Sequence, residues 1–142
     1  MKISAKIDYA CRALLELSLH WPNPSPLPIQ EIARRQKIPM KFLVHILIHL
    51  KQLDYLESVR GKNGGYVLTK SPREIKLSPI MKSFGVFGQS SSLEAKRARS
   101  HHVMDTIWQE INKTVSKAIE QIDFEMICQR SHNKNKSLMY EI

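Results

Sequence analysis

Leu56-Glu57-Ser58-Val59-Arg60-Gly61-Lys62-Asn63-Gly64-Gly65-Tyr66-Val67-Leu68-Thr69 holds two short runs suited to extended backbone, residues 56–60 and 66–69, around a glycine-rich centre. Asn-Gly between such runs is a strong hairpin-turn signal. The stretch reads as a β-hairpin with a basic, glycine-rich tip that carries Arg60 and Lys62.

Working backward from the hairpin, three helical patterns precede it. Phe42, Leu43, Ile46, Leu47, Leu50 and Leu53 recur at helical spacing and are expected to share a buried face, with Pro39 near the first turn where its fixed φ does no harm. Lys41, Val44, His45 and Ile48 then fall on the opposite side at i, i+3, i+4 and i+7. Two aliphatic residues on that outer side mean either that it meets a partner or that the helix is more buried than its pattern suggests. A shorter helix begins at Ile29, Ile32 and Ala33 and runs to about Gln36. The first helix spans residues 4–20, with Ile7, Ala10, Leu14 and Leu17 along its inner stripe and Ser4 as its N-cap. Pro22-Asn23-Pro24-Ser25-Pro26 ends it, because proline lacks an amide donor and restricts the residue before it.

Two short helices joined by a tight turn, the second followed at once by a basic hairpin, are the order of a winged helix-turn-helix, whose second helix enters the major groove of DNA. The internal spacing agrees. Ala33 stands where the two helices approach closely, Ile38 follows the turn, and Leu43 and Ile46 pack the second helix back onto the first. Lys37 occupies a turn position that favours glycine, so a left-handed backbone there carries a modest cost.

Beyond the hairpin, Ser78-Pro79 is expected to cap a further helix through about Phe84, and a small-polar stretch covers residues 85–92. Val103, Ile107, Ile111, Val115, Ala118, Ile119 and Ile122, with Trp108 beside them, make a long apolar stripe that needs a partner. A dimer seam is the favoured reading. The expected architecture is mainly α with a small β-hairpin: a winged helix-turn-helix domain over residues 1–87, then a dimerisation helix and C-terminal tail over residues 88–142.

The 142 residues, 42% of them apolar, suffice for one core with an accessory helix. Lys and Arg number 22 against 13 Asp and Glu, a formal net charge of +9, which points to a polyanionic partner. The excess sits in the first 80 residues, with 13 basic side chains against 6 acidic ones. No window approaches the ~18 apolar residues of a membrane span, and the start lacks the apolar run of a secretory signal. Two cysteines, Cys11 and Cys128, are too few for a disulfide framework or a multi-cysteine zinc site, and read as inert thiols. There is no nucleophile–base pair, carboxylate pair or phosphate-cradling loop, so the chain is not expected to be an enzyme. Residues 61–65 lack the spacing and the Lys-Ser/Thr ending of a nucleotide-binding loop. His45 and His49 are four apart on a helix, but the glutamate of a zinc protease motif is missing, and no metal site is expected. Lys96, Arg97 and Arg99, with His101 and His102, read as a solvated face.

These features together resemble the Rrf2-type bacterial transcription regulators. The resemblance rests on Met1-Lys2-Ile3-Ser4, Tyr9-Ala10, Ala13-Leu14-Leu15-Glu16-Leu17, Glu31-Ile32-Ala33 and Ile38-Pro39-Met40-Lys41-Phe42-Leu43. Its strongest block is residues 58–68, similar to the family's wing signature, followed by Pro72 and Ile75; Trp108 and the long helix match the family's dimerisation helix. The resemblance implies a homodimer on double-stranded DNA. Lys41, Val44 and His45 would lie in the major groove, where lysine donates to guanine edges and valine meets a thymine methyl. Arg60, Gly61 and Lys62 would meet the minor groove, and Lys2 and Lys6 would hold phosphates. Glycines 61, 64 and 65 would let the hairpin backbone come close to DNA.

Many members of that family bind an iron–sulfur cluster through three cysteines in the segment before the dimerisation helix. Here residues 85–104 contain no cysteine and hold Ser90, Ser91, Ser92, His101 and His102 instead. Thiolate is the usual cluster ligand, so the cluster is disfavoured and no cofactor is expected. Two other functions stay in view: a sensor that uses Cys11, Cys128 or His101 and His102, and a protein-interaction module that presents Val44 and Ile48. The ending from Cys128 to Ile142 resembles cyanobacterial and plastid members, so the expected location is cytoplasmic, in a bacterial cytosol or a plastid stroma.

Overall fold

A computed structural model describes residues 3–85 and 103–140. Helix α1 (Ala5–His20) starts where expected, with Ser4 Oγ accepting the Ile7 N–H at 3.4 Å. Ile7, Ala10, Ala13, Leu14 and Leu17 are buried along one face. Helices α2 (Ile29–Gln36) and α3 (Met40–Gln52) follow the proline-rich connector, whose Trp21–Pro22 peptide is cis. Between α2 and α3, Lys37 takes the left-handed conformation (φ 53°), and the Ile38 N–H reaches back to the Ala33 carbonyl at 3.0 Å. This 6→1 bond closes the helix end, and Ile38 itself drops into the core. Asp54 closes α3 in the same way (φ 62°), a second left-handed position that the residue pattern did not flag.

The inner face of α3 is narrower than its pattern suggests. Leu43, Ile46, Leu47 and Leu50 are buried, whereas Leu53 is only half-buried and Phe42 is 47% exposed. Phe42 precedes the i, i+3, i+4, i+7 set by one residue and therefore rides its flank, where its ring lies 6.1 Å from that of Tyr9. One carboxylate is buried beneath the helix pair. Glu16 of α1 accepts from Arg35 Nη1 at 2.9 Å and from Gln36 Nε2 at 2.7 Å, which ties α1 to the end of α2. Arg35 also reaches Glu31, whose carboxyl is held below its usual range by the Arg34 hydrogen bond first and the Arg35 bond with it.

Strands β1 (Leu56–Val59) and β2 (Gly65–Leu68) pair antiparallel, with Leu56 opposite Leu68 and Val59 opposite Gly65. The hairpin is the expected one, but its turn works differently. Positive φ falls at Gly61 (118°) and Gly65 (159°), not at Asn63, and the Gly64 N–H closes onto the Gly61 carbonyl at 3.0 Å. A further pairing escaped the sequence reading. Leu27 exchanges two backbone hydrogen bonds with Tyr66, each 2.9 Å, which adds a short third strand position beside β2. A Cβ on Gly65 would overlap the Leu27 carbonyl, so glycine is required there by contact.

After a one-turn 3₁₀ segment (Pro72–Glu74) closed by a Ser71/Glu74 capping box, helix α4 spans Leu77–Ser83. Ser78 is not its cap. Lys76 is the boundary residue, because the Leu77 N–H is already bonded to the Ile122 carbonyl at 2.9 Å; Ser78 lies inside the helix and is buried. Helix α5 (Val103–Glu120) carries the long stripe, and its two ends differ. Ile119 is buried against Ile7 and Met81, with Val115 beside them. Val103, Ile107, Trp108 and Ile111 are exposed. Ala118 is exposed too, off the buried side of the stripe.

The chain then turns into α6 (Phe124–Tyr140), a 17-residue helix within the stretch expected to be a C-terminal tail. Phe124 is fully buried in the main core, and its N–H bonds the Ile75 carbonyl at 3.1 Å. Asp123 caps α6 by accepting the Met126 N–H at 2.9 Å and pairs with Lys76 at 3.2 Å. Burial alone would raise its carboxyl pKa, but these two partners hold it below the usual value.

Replacing Lys37 by glycine relieves the left-handed strain at a small cost in chain entropy. Lys37→Gly is expected to raise the unfolding free energy in urea by about 0.5–1 kcal/mol. A loss of stability would show that the Lys37 side chain contributes more than its backbone costs.

Candidate nucleic-acid interface

The inner face of α3 is buried, so the residues between its leucines must face outward. Lys41, Val44, His45 and Ile48 are all exposed, Val44 by 38% and Ile48 by 47%. Of the two explanations for aliphatic residues on that side, extra burial is removed. Lys41 keeps its ammonium 5.0 Å from the Phe42 ring centroid, so the flank aromatic supports the cation on the outer face. Behind it, Arg12 lies over Tyr9, with its guanidinium 6.0 Å from the ring centroid and 2.8 Å from Asp8. This Arg12–Tyr9–Phe42–Lys41 layer joins residues of α1 and α3, which no spacing within either helix reveals.

The hairpin sits beside the same helix. Lys51 Nζ donates to Ser58 Oγ at 2.6 Å, linking the last turn of α3 to β1. Arg60, Gly61 and Lys62 are exposed at the tip. Lys6 is exposed on α1, with its ammonium 5.7 Å from the Phe84 ring centroid; the His49 ring of α3 meets that same ring edge-on at 4.8 Å. Phe84 therefore brings Lys6 close to α3. Lys2 lies outside the described residues.

An iron–sulfur cluster needs thiolate ligands gathered at one place. Cys11 is half-buried on α1 and Cys128 is buried on α6. Burial pushes each thiol up to about 11, aided by Asp8 at Cys11 and by Glu125 at Cys128. Neither is a ready thiolate at neutral pH, and the two stand on different helices. His49 packs on Phe84, and among the described residues no group of three His, Cys, Asp or Glu side chains is placed to hold a metal ion. Ser90, Ser91, Ser92, Lys96, Arg97, Arg99, His101 and His102 lie outside the described residues. The thiols present do not fit the three-cysteine cluster that the resemblance implies. No helix among the described residues is long and apolar enough to cross a membrane.

Comparison with known proteins agrees with this geometry. The family model for Rrf2, described as an iron-dependent transcriptional regulator, matches residues 3–130. The chain is 31% identical over 129 residues to slr0846 of Synechocystis sp., named as an HTH-type transcriptional regulator, with 86% of this chain and 84% of that protein covered. It is 42% identical over 82 residues to an rrf2-like HTH-type regulator of Rhodobacter capsulatus, spanning 56% of this chain and about half (55%) of that relative. Among solved structures, IscR of T. potens matches with a TM-score of 0.76 at 24% identity, over 92% of this chain and 88% of that one, a likeness of fold. With the helix-turn-helix, the hairpin and this match in hand, the chain belongs to the Rrf2 family of transcriptional regulators, DNA-binding winged-helix proteins and not enzymes.

Proposed function

We propose that this regulator binds a two-fold DNA operator as a homodimer, with α3 in the major groove and the hairpin tip at the minor groove. The observation that carries this reading is the outer face of α3, where Lys41, His45 and the aliphatic Val44 and Ile48 are exposed together opposite the buried Leu43, Ile46, Leu47 and Leu50. Such a mixture suits base edges. Lys41 donates to guanine, Val44 meets thymine methyls, and His45 lies next along the groove. Arg60 and Lys62 reach the minor groove from the tip, and Gly61 lets the backbone come near. Lys6 and Lys2 neutralise phosphates.

The second copy pairs through α5, whose exposed Val103, Ile107, Trp108 and Ile111 continue the line that Val115 and Ile119 start within the chain. A cavity of about 320 Å³ beside that line, walled by Ile3, Ile7, Met81 and Ile119, extends the apolar surface toward α1 and α4. The regulator works without an iron–sulfur cluster, because it offers two protonated thiols on different helices where the cluster takes three thiolates. A protein partner for Val44 and Ile48 is the other occupant this face suits, and a DNA-binding assay separates the two.

Binding to duplex DNA is expected to weaken by orders of magnitude between about 50 and 200 mM salt. Arg60→Ala is expected to weaken it about tenfold with an unchanged circular dichroism spectrum. Binding that ignores salt, or an Arg60→Ala protein that binds normally, would contradict the model. The double variant Ile107→Glu, Ile111→Glu is expected to sediment as a folded monomer and to lose most of its operator affinity. A dimer that survives both substitutions would move the seam elsewhere.

A further inference from the structure

A crevice of about 360 Å³ opens on another side of the molecule, between the end of α1, the Pro72–Glu74 turn and α6. Ser18, Trp21, Arg73, Cys128, Gln129 and His132 line it. Three observations mark it as more than a surface fold. Ser18 is only 4% exposed, yet its Oγ has no hydrogen-bond partner among the described residues. A helical serine ordinarily satisfies its hydroxyl on the preceding turn or in water, and here neither the helix nor open solvent does so. On α6, Glu125, Cys128, Gln129 and His132 recur at i, i+3, i+4 and i+7, so one stripe of that helix faces the opening. At the rim, Arg73 stands mostly in solvent, with its Nε a long 3.5 Å from Glu125, a pairing loose enough to yield to a better acceptor.

Their chemistry is complementary to one kind of molecule. A guanidinium and an imidazole at the rim accept an anion, and an exposed indole with a neutral sulfur wall accepts an apolar body. An orphan hydroxyl and a carboxamide accept or donate a further hydrogen bond. The volume is in the range of small-molecule sites. We propose that this crevice is a binding site for a small organic carboxylate, held by Arg73 and His132 at its charged end and by Trp21 along its body, with Ser18 hydrogen-bonded to it. The occupant would bridge α6 to the segment that leaves β2, at Arg73, five residues beyond Leu68. Glu125 competes with it for Arg73.

Phenylacetate is a suitable probe, with phenylacetamide as its neutral counterpart, in a titration followed by amide chemical shifts of the full chain. Saturable shifts at Ser18, Trp21, Arg73 and Gln129 are expected with phenylacetate, and at least tenfold weaker binding with phenylacetamide. Arg73→Gln should weaken phenylacetate about tenfold and Ser18→Ala several-fold, whereas Glu125→Gln should tighten it by removing the competitor. Arg73 and Glu125 are surface positions, so those two variants keep the test readable if Ser18→Ala proves unstable. Shifts that fail to saturate, equal binding of the amide, or indifference to Arg73→Gln and Glu125→Gln would overturn the proposal and leave the crevice a hydrated cleft. DNA binding of the probe-free protein, measured alongside, is independent of this outcome. Its loss would count against the operator reading alone.

Discussion

Burying Leu43, Ile46, Leu47 and Leu50 against α1 leaves α3 no freedom to rotate about its axis. Each such side chain taken out of water contributes about 1.5–3 kcal/mol, so a rotation that exposed even two of them would cost a large part of a small domain's stability. With that face sealed, the 3.6-residue period puts Lys41, Val44, His45 and Ile48 outside together. The Glu16 clasp works toward the same end. A buried carboxylate bonded by Arg35 and Gln36 holds the end of α2 on α1, and the left-handed turn at Lys37 then aims α3. Specific backbone geometry and one satisfied buried charge thus convert a generic apolar stripe into a presented surface.

The wing depends on the same frame. The Lys51–Ser58 bond and the pairing of Leu27 with Tyr66 anchor the hairpin at both sides, so its tip extends from a fixed base. The net charge of +9 gains meaning from this arrangement. Its excess lies in the half of the chain that carries α1, α3 and the hairpin, while the second half supplies an apolar helix face suited to a second copy.

Legibility followed the range of the interactions. The ends of α1 and α2, the start of α3 and the left-handed Lys37 could be read because caps, prolines and helical spacing are local signals. The outer face of α3 was legible for the same reason, since periodicity assigns Lys41, Val44, His45 and Ile48 to one side without knowledge of the rest. Phe42 was assigned inside because hydrophobicity alone cannot tell the centre of a stripe from its flank. The strand position at Leu27, the Glu16 clasp and the Lys6–Phe84–His49 contact depend on partners far along the chain, whereas the left-handed Asp54 is a local helix end at a residue that carries no glycine signal. The length of α6 was missed because Asn133-Lys134-Asn135-Lys136 carries little apolar pattern, and the helix is anchored by Phe124 and its Asp123 cap at one end. The first-half cations at the hairpin tip were placed as expected on an exposed turn, though the glycines that make the turn are Gly61 and Gly65 and not the Asn63-Gly64 pair.

Selection of duplexes from a random pool by the full chain is the most direct measurement of whether this surface reads DNA as a symmetric pair. Enrichment of two inverted half-sites centred about one helical turn apart is the predicted result, since a dyad would relate the two α3 helices in the proposed homodimer. No enrichment, or enrichment of a single unrepeated site, would contradict it.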